Sequence, residues 1–296
     1  MIENENIALL ARRYGYEVDF YDCVGSTNEV ALQKAKAGHS GSLWVVAEEQ
    51  NQGRGRRGRI WNSPRGNLYT SLLLKMRMDQ SYEEITNFDE QRAVQRAGKL
   101  GFVAGVSIAE AIKSLLSKAG KARYERGGAF SSLLCLDLIK LKWPNDLLLG
   151  RKKAAGILLE YLKIADGDYA LIIGIGVNVA HTYAGAPYPT ASLQSVGIEA
   201  DKGDILASLI ESFSKNYALF HSVDGPDIIR AAWMKHCGML GQKIHVVSET
   251  QTWDGIFYGL DQDYNCIIKL DGGQYHFITA GDVHFGGIHS RSMNRE

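Results

Sequence analysis

Four stretches place residues that could do chemistry. The first is Gly53-Arg54-Gly55-Arg56-Arg57-Gly58-Arg59, a run made only of Gly and Arg. Arg is almost never buried unpaired and Gly adds no apolar area, so the run cannot pack in a core. Glycines allow close backbone approach, which turns N–H groups toward an anion. The guanidinium groups of Arg54, Arg56, Arg57 and Arg59 stay charged at any working pH. Gly53 and Gly58 match the outer glycines of a P-loop, but Arg59 and Ile60 stand where Lys and Ser/Thr belong, so this is not a Walker A motif. Taken alone, the run is equally well a solvated basic loop or an RNA-binding element. Trp61, just after it, stacks on a base or packs in a core, and for a single Trp the core is the ordinary place.

The second stretch is "KLKWPNDLLL". Lys142 ends an apolar run two residues before Pro144, so stiff backbone holds it at a turn. By itself it also reads as a strand-edge Lys. Asp146 could help hold a metal bound to a nucleotide, or simply cap the turn. The third is "IIGIGVNVA". A dinucleotide fingerprint needs a third glycine where Val179 stands, so that reading fails. Asn178 offers a donor and an acceptor at the strand end, which suits either an adenine edge or a turn cap. In the fourth, "GSTN", the hydroxyls of Ser26 and Thr27 either cap a helix or bind a neutral polar group. No G-x-S-x-G elbow and no H-E-x-x-H occurs, and the eight histidines lack metal-ligand spacing, so acid–base and metal-dependent hydrolysis have no support.

The elements that must position these residues can be read from periodicity. "YEVDFYDCV" is strand-like and breaks at Gly25 into a helix capped by Ser26 or Thr27, with Glu29 in its first turn. "SLWVVAEEQ" and "NLYTSLLLKM" are strands flanking the Gly/Arg run. "LGFVAGVSIAEAIKSLLSKAG" has helical spacing with a Gly stop, and "KARYERGGAFSS" reads as a loop. "LDLIKLKWPNDLLLG" and "KKAAGILLEYLKI" are strands joined by a turn at Pro144-Asn145-Asp146, and "YALIIGIGVNVA" is another strand. "KGDILASLIESFSKNYALF" and "PDIIRAAWMKHC" are helices. After Cys237 short runs alternate apolar and polar residues, with turns at Ser248–Thr250, Asp261–Tyr264 and Asp271–Gly273, as in a small β-barrel. The tail from residue 287 reads as disordered.

Composition narrows the class. The chain has 296 residues, 45% of them hydrophobic, enough for one large core or one large and one small domain. Lys+Arg and Asp+Glu are both 33, so the net charge is zero. Nucleic-acid binders carry a basic excess, so local basic charge favours a pocket over a broad binding face. The four cysteines are scattered without a C-x-x-C pair, as expected for reduced thiols. The N-terminal apolar run is too short for a signal peptide, and no uninterrupted apolar stretch approaches a membrane span. A cytoplasmic protein without a membrane role is expected.

Each motif is weak alone, but their order is not. "GSTN", "EEQNQGRGRRGRIW" with "SPRGNLYTS", "KWPND", "KKAAGILLE" and "IGIGVNV" together resemble the biotin–protein ligases over about residues 18–180, and to about 286 if the terminal β-barrel is included. The resemblance implies an α+β fold: a mixed-sheet catalytic domain of the biotin/lipoate ligase type over 1–236 and a small SH3-like barrel over 237–286. It implies that biotin and Mg-ATP give biotinyl-5′-adenylate, and that biotin then passes to one lysine of a biotin carboxyl carrier protein. Lys142 and Arg56 match the catalytic positions that meet the biotin carboxylate and the α-phosphate. Ser26, Thr27, Asn28, Gln50, Gly53, Arg54, Gly156 and Gly174, with Lys142, match the biotin-binding positions. Arg54, Arg56, Arg57, Arg59, Trp61 and Asn178 match the ATP-binding positions, with Mg²⁺ on the pyrophosphate side. The Gly/Arg loop is then expected to be mobile until ligand orders it. Some family members add an N-terminal DNA-binding domain. The residues before Ser26 are too few for one, so no sequence-specific DNA binding is expected. A homodimer stays open. The chain departs from the family pattern by a longer segment around Ala119 to Asp137. The rival assignments are a lipoate or octanoate ligase, whose members lack the Gly/Arg run and KWPND, and an RNA-binding protein.

Overall fold

A computed structural model describes residues 2–76, 90–125, 136–164, 169–248 and 250–285. Among them, seven strands form a mixed sheet in the order β1-β2-β3-β7-β6-β5-β4. These are β1 (Glu17–Val24), β2 (Leu43–Gln50), β3 (Leu68–Met76), β4 (Ile139–Lys142), β5 (Asp146–Leu149), β6 (Lys152–Lys163) and β7 (Tyr169–Val177). Only β1 and β2 pair in parallel, because helix α2 (Thr27–Lys36) makes the crossover between them.

Alternation along the strands assigns the two faces. Leu171, Ile173, Ile175 and Val177 of β7 join the main core, under α3 (Glu90–Glu125) and α4 (Lys202–Phe220). Ala170 and Ile172 face the other way, into a small cluster under Ala31 and Ala35 of α2. The same period sends Gly174 and Gly176 to that second face, beyond the end of α2, where the strands carry little bulk.

A second, five-stranded antiparallel sheet follows helix α5 (Gly225–His236). Its strands are β8 (Lys243–Val247), β9 (Thr252–Leu260), β10 (Cys266–Lys269), β11 (Tyr275–Ile278) and β12 (Asp282–Phe285), in the order β11-β10-β9-β8-β12. Five short antiparallel strands match the SH3-like expectation, although no β11–β12 pairing closes a ring among the described residues. The two sheets share a core: Phe102 of α3 lies edge-on to Trp233 of α5 and to Tyr264 of the β9–β10 turn. Trp143 donates its indole N–H to the Tyr264 carbonyl at 3.1 Å.

Several local readings are corrected. Helix α3 continues through Gly120 to Glu125, so the glycine does not stop it and residues 121–125 are helical rather than loop. A mid-helix glycine costs only about 1 kcal/mol, and Lys-Ala-Arg-Tyr-Glu prolongs the helix readily. The rest of that loop, residues 126–132, and the tail from 287 lie outside the described residues. Helix α1 (Ile2–Arg13) was not foreseen; Ile7 and Ala11, one turn apart, are its buried contacts. Ser26 occupies the N-cap position of α2, but neither its hydroxyl nor that of Thr27 caps the helix. Among the described residues, one helical stretch, Gln95–Lys118, is long and apolar enough to cross a membrane. It is interrupted by Glu110 and Lys113 and 72% buried, as befits the central helix of this core.

Candidate active site

Strand register gathers residues from distant parts of the chain. Across the sheet, Tyr69 pairs with Gly176, Gly176 with Gly156, Gly156 with Asp146 and Asp146 with Lys142. One step along, Val45 pairs with Ser71, Ser71 with Gly174 and Gly174 with Leu158. Tyr69, Gly176, Gly156, Asp146 and Lys142 of the first row, with Gly174 and Leu158 of the second, line a cavity of about 390 Å³, within the range of small-molecule sites. The glycines are required by what lies on them. A Cβ on Gly176 would come 2.6 Å from Trp61 Nε1, and one on Gly156 would come 3.1 Å from the Trp61 ring. A Cβ on Gly174 would fall on the Asn28 amide.

One end of the cavity is lined by neutral side chains that hydrogen-bond to one another. Gln50 Oε1 accepts from Thr27 N at 2.8 Å and from Thr27 Oγ1 at 3.1 Å, and Gln50 Nε2 donates to Ser63 Oγ at 2.9 Å. Ser71 Oγ, fully buried, donates to Asn28 Oδ1 at 2.6 Å and lies 2.7 Å from Thr27 Oγ1. Asn28 Nδ2 donates to Glu160 Oε2 at 2.6 Å, which fixes the amide orientation. Networks closed in this way are rigid, because every member restrains the next. Arg54 borders this end, 3.4 Å from Glu29 and 3.5 Å from Glu160.

The other end is cationic. The Gly/Arg run forms a small hairpin: Arg54 bridges Ile60, and Gly55 N donates to the Arg59 carbonyl at 2.7 Å. At its tip Arg57 is held at φ 57°, a left-handed conformation that costs a non-glycine residue about 1–2 kcal/mol. Arg56 donates to Asn145 Oδ1 at 3.2 Å and to the Gly281 carbonyl at 3.3 Å from both terminal nitrogens. Burial lowers its pKa from the ordinary guanidinium value, against the pull of Asp282 and Asp146. Lys142 Nζ lies 3.0 Å from Asp146 Oδ2, and Lys153 Nζ lies 2.6 Å from Asp146 Oδ1. Burial would raise the Asp146 carboxyl, but Lys153 and Lys142 outweigh it and hold the pKa below the usual carboxylate value. Between the two ends stands Trp61, whose buried indole N–H has no partner. Lys153 sits 5.2 Å from the Trp61 ring and 5.1 Å from the Tyr188 ring.

Most of the residues singled out in the sequence therefore line one cavity: Ser26, Thr27, Asn28, Gln50, Arg54, Arg56, Arg59, Trp61, Lys142, Asp146, Gly156 and Gly174. Gly53, Arg57 and Asn178 do not. Gly53 sits at the hairpin base, where a Cβ would come 2.5 Å from Ser63 Oγ. Arg57 turns to Asp282, 3.3 Å away. Asn178 is buried, and its amide Nδ2 donates to the Ala191 carbonyl at 3.2 Å, a contact that holds the turn. Missed in the sequence were Ser71, Lys153, Glu160, Gly176, Tyr188 and Asp282. Gly176 had a signal, since glycines two apart on one strand clear the same face.

A family model for the biotin/lipoate A/B protein ligases matches residues 20–178, over half of the chain. The chain belongs to the biotin/lipoate A/B protein ligase family. Among its relatives within the family is the biotin–[acetyl-CoA-carboxylase] ligase of Paracoccus denitrificans, 33% identical over 268 residues, which are 88% of this chain and 98% of that one. The bifunctional ligase/repressor BirA of Escherichia coli is 30% identical over 269 residues, covering 89% of this chain and 73% of BirA. The fold is that of the biotin protein ligase from Aquifex aeolicus solved with biotin and ATP, with a TM-score of 0.68 and 24% identity over 91% of this chain and 99% of that one.

Proposed function

We infer that this member of the ligase family condenses biotin with ATP to biotinyl-5′-adenylate and pyrophosphate, then transfers biotin to a lysine of a biotin carboxyl carrier protein, releasing AMP. The observation that carries this is the two-ended cavity, in a chain 33% identical to a biotin–[acetyl-CoA-carboxylase] ligase over nearly that enzyme's full length. A ureido ring is neutral and polar, so it calls for neutral hydrogen-bonding partners such as Thr27 and Gln50. A carboxylate attacking an α-phosphate is anion meeting anion, so it calls for positive charge fixed in advance.

Within this reading Arg56 and Lys142 stand where carboxylate and α-phosphate must approach, and Lys153 adds a third charge there. Ser26, Thr27, Asn28 and Gln50 take the ureido end, over Gly174, with Arg54 bordering it. Arg59 and Trp61 serve the nucleotide. Mg²⁺ arrives as Mg-ATP: no group of three His, Cys, Asp or Glu side chains able to hold a metal occurs among the described residues, and Asp146 is already claimed by two ammonium groups. That fits an ion carried by substrate phosphates. The separate hydrogen-bonding of the two sheets supports a division into a catalytic part up to residue 236 and an SH3-like part over 237–286. Helix α1 packs on β1 and α4, and we propose no sequence-specific DNA binding. An ATP-consuming reaction on a carboxylase carrier suits the cytoplasm.

The test is incubation with biotin, Mg-ATP and a purified biotin carboxyl carrier domain. A single biotinylated carrier lysine, dependent on both small molecules, is expected. Carrier modified by lipoate but not by biotin would refute the reading.

A further inference from the structure

The strand β12 meets nearly every cation of the phosphate end. Asp282, whose side chain is only 12% exposed, lies 3.5 Å from Arg56 and 3.3 Å from Arg57, and is also paired with Arg59. Its neighbours act alike. The Gly281 carbonyl accepts from both terminal nitrogens of Arg56, and the Val283 carbonyl accepts from Lys142 Nζ at 3.0 Å. The alternation of β12 explains how. Val283 turns its side chain into the core, which leaves Asp282 on the opposite face, lining the cavity.

We propose that Asp282 is a positioning residue that holds the Gly/Arg hairpin over the cavity as an internal counter-anion, which the nucleotide phosphates must displace. The proposal rests on the function assigned above. Arg56 spends its forked donors on Asn145 and Gly281, and Arg57 and Arg59 share one Asp282 oxygen. Guanidinium groups so engaged have fewer donors free and oriented for a bidentate grip on phosphate. Three guanidinium groups against one carboxylate leave an excess of positive charge, so a triphosphate, which carries more negative charge, can take them over. The buried carboxylate is stable here only while it is paired. Exchange of anions therefore couples nucleotide binding to release of the C-terminal sheet from the hairpin.

The prediction concerns affinity. Asp282→Asn keeps the shape and removes the competing charge, so it should bind a non-hydrolysable ATP analogue on the order of five- to tenfold more tightly than wild type in calorimetric titration, the usual size of a coupling between sites. Asp282→Glu restores the charge and should return the affinity toward wild type, which a merely structural defect would not do. Wild-type protein that binds the analogue, alongside an Asp282→Asn variant with equal or weaker affinity, would overturn the counter-anion role and leave the ligase assignment standing. Wild-type protein with no biotin-dependent adenylate formation would instead sink the assignment itself. If Asp282→Asn does not fold, Asp282→Ser supplies the same neutral side chain for the titration.

Discussion

The two ends of the cavity are built on different principles. The neutral end is made of side chains from α2, β2, β3 and β6, with Thr27, Asn28, Gln50 and Ser71 bonded to one another over Gly174. Apart from Ser63, every partner belongs to the same sheet or to the helix packed on it, so these side chains are held in place before any ligand arrives. The charged end is assembled from four sources: a hairpin between strands, the β4–β5 turn, Lys153 of β6, and β12 of the other sheet. Its partners are carboxylates and carbonyls of the protein. The contrast teaches that selection of the acid and activation of the acid can be separated. A preorganised neutral site discriminates by leaving its groups unpaired with the wrong ligand. A charged site that exchanges partners can open and close.

The largest expected effect falls on the charged end. Lys142→Ala should lose about 10²–10³ in the rate of adenylate formation, the usual cost of removing one fixed charge or donor at a developing anion. Biotin bound without ATP should retain affinity at the neutral contacts. Near-normal adenylate formation by the folded variant would show that Lys142 is only a strand-edge residue.

Next comes the neutral end. Gly174→Val would drive a side chain into the Asn28 amide, which bonds Ser71 and Glu160. The KM for biotin should rise roughly ten- to hundredfold, while the KM for ATP stays close to wild type. Equal loss in both constants would mean that the two ends do not act separately.

Arg56→Gly tests the hairpin as a cover. The change removes its ties to Asn145 and Gly281 and adds backbone entropy of about 1 kcal/mol. Adenylate should still form, but escape and label lysines of a bystander protein such as albumin. A variant that makes adenylate and labels the bystander no more than wild type does would show that the hairpin is not a lid.

The smallest effect is one of pH. His284 lines the cavity and stays exposed at its mouth, and partial loss of water, followed by repulsion from Lys142, lowers its pKa from the ordinary value of 6.5. It is neutral at pH 7 and gains charge only below that ordinary value. An added positive charge favours phosphate, so affinity for ATP should rise about two- to threefold on acidification, the scale of a solvent-screened charge pair. Affinity for biotin alone should not change with it. His284→Gln should flatten the ATP profile, and a wild-type profile that is already flat would contradict the assignment.

How much of this was legible in the sequence follows the same division. Arg56, Lys142, Thr27 and Gln50 sit in short motifs whose local spacing carries the signal, and the structure brings them to one cavity. Most strands were legible because β2, β3, β6 and β7 alternate or run apolar between clear turns. The turn contact of Asn178 was not legible, because a strand-end Asn can face a ligand or hold a turn and only the fold brings its amide to the Ala191 carbonyl. Ser71 was invisible because a single hydroxyl in a strand becomes functional only through its register with Gly174. Asp282 lies at the far end of the chain from the arginines it meets, and a lone Asp beginning a strand carries no local sign of three guanidinium partners.

We propose that a neutral end chooses biotin and a charged end activates it. ATP–pyrophosphate exchange with biotin, lipoate or octanoate as the sole acid tests it most directly. All three acids carry the carboxylate that the charged end handles, but only biotin carries a ureido ring for Thr27 and Gln50. Exchange driven by biotin, with little or none from the other two, is the predicted result. Exchange driven by lipoate or octanoate, with no biotin signal, would contradict the account.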